Sequence, residues 1–280
     1  MPAARAQDTD HATTTHMTGH VLGRIGLQIR IEDGSPRIDL PLHPILLDAD
    51  GHLDFGVLGL YLDAASGQAP SFPQNRPWLH ADITAHRLNA PEGQVLSASS
   101  RVERLGGRSG VLVVDVHDDL GVHVARSVQQ FVFVGPPRPA ERTAHERARF
   151  YRRLHGTCSL RVPLHEALEI GRDGDGDGRA GWSIPLQELS RNTWGGLHGG
   201  VAIALVDAAV TGAVTEATGA PARTVSAAVR YLTPSLAGPV RAEPTIVGRR
   251  GDVVLVATEV RDAGAEGTLT ILADAHVSVG

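Results

Sequence analysis

The chain has a single cysteine, Cys158, among 280 residues. That excludes an intramolecular disulfide and any cysteine-rich metal site, and it fits a reducing compartment, so a cytoplasmic location is expected. No block of basic residues tracks a phosphate backbone, and the net charge of −5 argues against nucleic-acid binding. The first eighteen residues lack the apolar core of a secretory signal and read as a disordered lead-in. No long hydrophobic run points to a membrane: the best apolar helix candidate, 201–214, is short and has Asp207 inside it. The fourteen histidines supply no His-Glu-x-x-His motif, and no His-x3-His pair falls in a helix candidate, so no metal is expected. Asp173-Gly-Asp-Gly-Asp177-Gly178 has the look of a calcium loop, but Ile184 stands where a bidentate Glu belongs, and a hairpin turn is expected instead.

What the chain does have centres on Asn192-Thr-Trp-Gly-Gly-Leu-His198-Gly199-Gly200, which leads straight into the apolar helix carrying Asp207. A mid-helix Asp cannot act as an N-cap, adds little helix propensity and is costly to desolvate. It is a candidate for function. Sliding the chain on itself by 144 residues lays Asp48–Gly56 on Asn192–Gly200 and Val57–Ala65 on Val201–Ala209. Gly51, Leu53, Gly56, Val57, Asp63, Ala64 and Ala65 are identical to their partners. The chain reads as a duplication.

Each half continues with strand-like runs divided by turns: 79–90, 94–105, 110–117 and 122–134, then 223–233, 239–248, 252–261 and 267–279. A short strand pair precedes each helix, 21–32 with 36–41 and 157–170 with 179–185. The expected fold is α+β, one long helix and one curled antiparallel sheet per half. The domains run 19–135 and 156–280, after a lead-in of 1–18 and joined by a linker, 136–155, in which 140–154 predicts an amphipathic helix.

A glycine turn that opens a helix presents free N–H groups and the positive end of the helix dipole, which suits a developing oxyanion. A carboxylate among Val, Ile, Leu and Ala is a candidate base with a raised pKa. Asn-x5-His-Gly-Gly-x7-Asp, followed by Thr224-Val-Ser-Ala-Ala-Val-Arg-Tyr231-Leu-Thr-Pro234, resembles the hotdog-fold acyl-CoA thioesterases of the phenylacetate-pathway (PaaI-like) type, over about 156–280. The resemblance implies Asp207 as base or nucleophile, Gly199 as donor to the thioester oxygen, Asn192 as an aid to substrate or water, and Thr224 as an assisting hydroxyl. It implies a structural role for His198 in the turn, and no cofactor.

Two such domains in one chain imply a double hotdog, with each site built across the seam and a further pairing into a homodimer. Thr224 then serves the first half's motif, where Asp48, Asp54 and Asp63 replace Asn192, His198 and Asp207. Opposite the fuller motif the alignment places Ala81, and a slip of one residue brings His80 or Asp82. Asp207 is the expected catalytic carboxylate and Asp63 the second candidate, with Gly200, Arg249 and Arg250 as substrate-binding residues. The substrate implied is an acyl-CoA, and small residues such as Ala208, Ala209 and Gly212 leave room for its chain. Two other readings remain open: a non-catalytic acyl-thioester-binding protein, and a hotdog hydratase or dehydratase, whose loop Asp48 and His52 match poorly.

Overall fold

A computed structural model describes residues 20–32, 35–67, 76–136, 157–173 and 181–280. The expected lead-in, the linker helix within 140–154 and the turn at 174–178 lie outside the described residues. In chain order the elements are α1 (Val21–Arg24), β1 (Gln28–Glu32), β2 (Ser35–Pro41), α2 (Phe55–Ser66), β3 (Trp78–Arg87), β4 (Val95–Leu105), β5 (Ser109–Asp118) and β6 (His123–Phe133). The second half adds α3 (Leu164–Ala167), β7 (Gly171–Asp173), β8 (Gly181–Ile184), α4 (Gly199–Thr218), β9 (Ala222–Tyr231), β10 (Val240–Arg250), β11 (Val253–Asp262) and β12 (Thr268–Val279).

The eight long strands and both central helices form where the alternating and apolar patterns place them. The short leading pairs differ. Residues 21–24 form a helical turn, with the His20 Nδ1 accepting the Leu22 N–H. Residues 157–170 form no strand, because Leu160, Leu164 and Leu168 bury side chains at a spacing of four, which is helical and not alternating. That register produces α3, and pairing with β8 begins only at Gly171.

Twelve antiparallel strands make one sheet in the order β1-β2-β4-β5-β6-β3-β9-β12-β11-β10-β8-β7. Each half contributes six, and the halves meet where β3 pairs with β9, with Ile83 opposite Val229 and Ala85 opposite Ala227. The chain is thus an α+β double hotdog, with α2 and α4 packed together inside the curl of the sheet. By length and hydropathy α4 could pass for a membrane span. Its contacts, however, are with α2 and the strands around it.

The two helices approach closely because their contact positions lack side chains. A Cβ on Gly200 would stand 2.6 Å from Leu60 Cα, and one on Gly59 would stand 2.5 Å from Ile203 Cγ2. Two of the sheet's β-bulges bear on the site. Ala81 is the extra residue of β3 against β6, between His80 and Asp82. Val225 is the extra residue of β9 against β12, between Thr224 and Ser226. Ala81 and Val225 occupy equivalent places in the repeat, and a bulge re-aims the side chain beside it.

Candidate active site

The turn before each central helix is built around one side chain. Asn192 Oδ1 accepts the amides of Trp194 (2.9 Å) and Gly196 (3.2 Å), and its Nδ2 donates to the Leu197 carbonyl (3.3 Å). Asp48 Oδ1 likewise accepts the amides of Asp50 and His52, both at 3.0 Å. Gly195 and Gly51 take positive φ, 85° and 81°, which turns the chain into the helix. His198 and Asp54 then cap α4 and α2, His198 Nδ1 accepting Gly200 N–H and Asp54 Oδ1 accepting Val57 N–H. Asn192 is therefore engaged in shaping the turn.

The structure corrects the expected partnership of the helix carboxylates. Asp207 does not sit with Gly199, nor Asp63 with Asp48 and Asp54. Each carboxylate faces the first turn of the other helix. The Gly200 N–H donates to Asp63 Oδ2 at 3.0 Å, and His198 Nδ1 stands 3.1 Å from the same oxygen. His80 Nδ1 lies 2.8 Å from Asp63 Oδ1. At the repeat's offset of 144, His80 takes the place that Thr224 holds in the other half; the one-residue slip from the proline-anchored alignment lies in the loop after the strand, where Leu88-Asn89-Ala90-Pro91 answers Leu232-Thr233-Pro234. Tyr231 closes the back of this group, its O–H donating to the Gly199 carbonyl at 2.9 Å. Gly199 N–H donates to no group among the described residues.

The second cluster gathers Asp207, Asp54, Gly56 and Thr224. Thr224 Oγ1 donates to Asp207 Oδ1 at 2.5 Å, and Gly56 N–H also reaches this carboxylate. Arg87, buried and equivalent in the repeat to Tyr231, lies beside it. Its guanidinium reaches Asp48 Oδ2 (2.7 Å) and the carbonyls of Leu53 (3.3 Å) and Thr224 (2.6 Å). Tyr231 falls within the Thr224–Pro234 motif and Arg87 in no motif, and their offset of 144 pairs them.

The two carboxylates titrate in opposite directions. Burial alone would raise Asp63, but the His198 and His80 rings and the Gly200 amide hold it well below the usual carboxylate range. Asp207 is pushed up to about 7 by burial and by the neighbouring Asp54, against the Thr224 hydroxyl and Arg87. Asp54 is raised as well, first by burial. His20 is pushed down to about 3 by burial and by His198, whose ring stands edge-on to it at 5.2 Å. His198 is lowered chiefly by burial.

A cavity of about 640 Å³ opens on the first cluster alone. Asp63, His80, His198, Gly199 and Asn192 line its polar end, and Leu22, Trp78, Leu197, Ala202 and Ile271 contribute apolar wall. Asp207, Asp54 and Thr224 are not among its lining residues. Nor are Arg249 and Arg250, which lie exposed at the end of β10, with Arg249 Nε donating to the Gly251 carbonyl. Gly200 contributes through its amide to Asp63. Among the described residues no group of three or more His, Cys, Asp or Glu is set to hold a metal ion.

The Thioesterase superfamily model matches residues 195–268, a stretch that includes His198, Gly199, Asp207 and Thr224. No curated protein matches the sequence. Among solved structures, the tesB protein of Mycobacterium avium subs paratuberculosis is similar at a TM-score of 0.62 and 12% identity, covering 93% of this chain and 98% of that one. The 12:0-ACP thioesterase of Umbellularia californica gives a TM-score of 0.57 at 10% identity, over 87% and 94% of the two chains. An acyl-ACP thioesterase of Bacteroides thetaiotaomicron gives 0.54 at 12% identity, over 86% and 97%. These likenesses carry the fold. The chain is a double hotdog whose second half, over residues 195–268, matches the Thioesterase superfamily.

Proposed function

We propose that this protein hydrolyses an acyl thioester, an acyl-CoA by the PaaI-like resemblance of its motif, at the site shared by Asp63 and the head of α4. The observation that carries this reading is the Gly199 N–H, which has no partner among the described residues, at a helix N-terminus, beside a carboxylate on the wall of a cavity of about 640 Å³. A thioester carbonyl placed at Gly199 accepts that N–H, and the helix dipole favours the negative charge that develops on its oxygen. The apolar wall takes the acyl chain. Asp63 stands where it acts on the attacking water or on the acyl carbon itself.

Asp207 fits this chemistry less well. Its pKa near 7 suits a base, but its cluster lies away from the cavity, with Arg87 filling the position of Tyr231. The test is release of free thiol from short, long and aryl acyl-CoAs. Turnover of any of them supports the hydrolase, and the best substrate defines its acyl class. Binding of an acyl-CoA without thiol release would replace it with a non-catalytic acyl-thioester-binding protein.

A further inference from the structure

The internal repeat relates the two clusters residue for residue: Asp63 to Asp207, Gly200 to Gly56, His198 to Asp54 and His80 to Thr224, each 144 positions apart. In both, a helix carboxylate accepts an amide from the other helix and is met by a side chain that a β-bulge turns inward. The side chain at the bulge is what differs. Asp207 meets a hydroxyl, a rotor that donates or accepts and can turn away. Asp63 meets an imidazole whose nitrogen direction is fixed by the ring.

That ring is held firmly. The His80 side chain is only 7% exposed, and it stands edge-on to Trp78 at 4.9 Å and tilted toward Tyr231 at 6.5 Å. Its Nδ1 is 2.8 Å from Asp63, and its Nε2 has no hydrogen-bond partner among the described residues. Among the described residues the ring's one hydrogen-bonding contact is thus the carboxylate. Building on the thioesterase reading above, we propose that His80 is the positioning residue of the site: its Nδ1–H fixes the Asp63 carboxylate against the head of α4, and this contact, replaced by a hydroxyl at Asp207, selects which of two equivalent carboxylates serves the reaction.

Held in this way, Asp63 keeps a free lone-pair direction on Oδ1, where His80 is the one hydrogen-bonding contact among the described residues, to orient a water toward a thioester carbon at Gly199. The titratable groups around it are His80 and Asp82 on β3, His198 at the head of α4, Tyr231 on β9 and His20 ahead of α1. His20 and His198 are pushed down and Tyr231 well up, so all three are neutral near pH 7.

The experiment compares the wild type with His80→Thr, which copies the other cluster, and His80→Asn, whose amide nitrogen reproduces Nδ1. Two readouts are taken, kcat and KM across pH for thiol release, and the Asp63 carboxyl titration by carbon-13 NMR. In His80→Thr, kcat falls about tenfold or more with KM within about threefold, the size expected when a positioned group is lost. The acid limb of the pH profile and the Asp63 titration move up together by about one pH unit or more. His80→Asn restores most of kcat and brings the titration back toward the wild-type position. If both readouts in His80→Thr match the wild type, or if His80→Asn does no better than His80→Thr, the assignment is overturned. The titration is read without turnover, so failure of the wild type to cleave any thioester sinks the hydrolase reading separately. An unmoved Asp63 titration sinks the role of His80 whatever the turnover shows.

Discussion

The amide of Gly200, on the first turn of α4, donates to Asp63 Oδ2 on α2 at 3.0 Å, across 137 residues of sequence. This one bond shows how the duplication is used. Neither half holds a complete site: the second supplies the turn, the cap and the helix amides, and the first supplies the carboxylate and His80. The reciprocal pair, Gly56 with Asp207, repeats the arrangement on the other side of the seam. There, however, the cap is acidic, Arg87 lies over the turn, and the cavity does not reach it.

The close approach that makes the Gly200 bond is sensitive to a single methyl. Gly200→Ala places a Cβ 2.6 Å from Leu60 Cα, a backbone atom that cannot swing away. Overpacking of this kind costs about 1–3 kcal/mol. The variant should melt lower and lose thiol release, because the shift that relieves the clash also pulls the Gly200 amide from Asp63. A variant that matches the wild type in both melting and turnover would mean that the helices are not in this contact.

Gly199 offers a cleaner probe of the oxyanion donor. It occupies the first helical position, where proline is well tolerated and where the missing N–H removes no intrahelical bond. Gly199→Pro should lower kcat about 10²–10³-fold, the usual loss for one oxyanion donor. Gly199→Ala keeps the N–H and serves as control for the added Cβ, which lies 3.3 Å from Asp63 Oδ2. Equal losses in the two variants would point to crowding of Asp63 and not to a lost donor.

Much of this arrangement is legible in the sequence. The repeat is visible because the turn glycines, Gly51 and Gly195, and the helix carboxylates are each fixed by a local requirement that both copies share. The long strands are legible from their alternation. The partnership of the carboxylates is not, because it depends on how α2 crosses α4, and that crossing is set by Gly59 and Gly200 meeting the neighbouring helix. His80 is hidden because an alignment anchored on Pro91 and Pro234 carries their offset of 143 back into the strands, where the repeat still runs at 144 and the missing residue lies in the loop between. Arg87 belongs to no motif, and only its offset of 144 from Tyr231, which lies in the Thr224–Pro234 motif, pairs the two. The stretch 157–170 reads as a strand, but Leu160, Leu164 and Leu168 recur at the helical spacing of four, and the turn of helix α3 forms over Leu164–Ala167.

Asp207 predicts a pH dependence of stability. Its pKa in the fold is about 7, above the ordinary value of 3.8, so between these values the folded protein keeps a proton that the unfolded chain has released. The stability it contributes is complete below about pH 3.8, declines as pH rises and is gone above about 7. Asp207→Asn keeps an acceptor for Thr224 and carries no charge beside Asp54. Its contribution to the decline in melting temperature across that window should vanish, and at pH 8 the variant should melt roughly 2–4 °C above the wild type, equivalent to about 1 kcal/mol. A lower melting point at pH 8 would show that the Asp207 anion is welcome in the fold.

The most direct measurement is thiol release by Asp63→Asn and Asp207→Asn side by side, on the acyl-CoA that the wild type cleaves best. The interleaved site predicts that Asp63→Asn loses kcat by about 10²-fold or more, within the range for a lost catalytic carboxylate. Asp207→Asn should stay within about threefold of the wild type, since it changes a cluster the cavity does not reach. Loss of turnover in Asp207→Asn with Asp63→Asn still active would contradict the account and move the reaction to the other side of the seam.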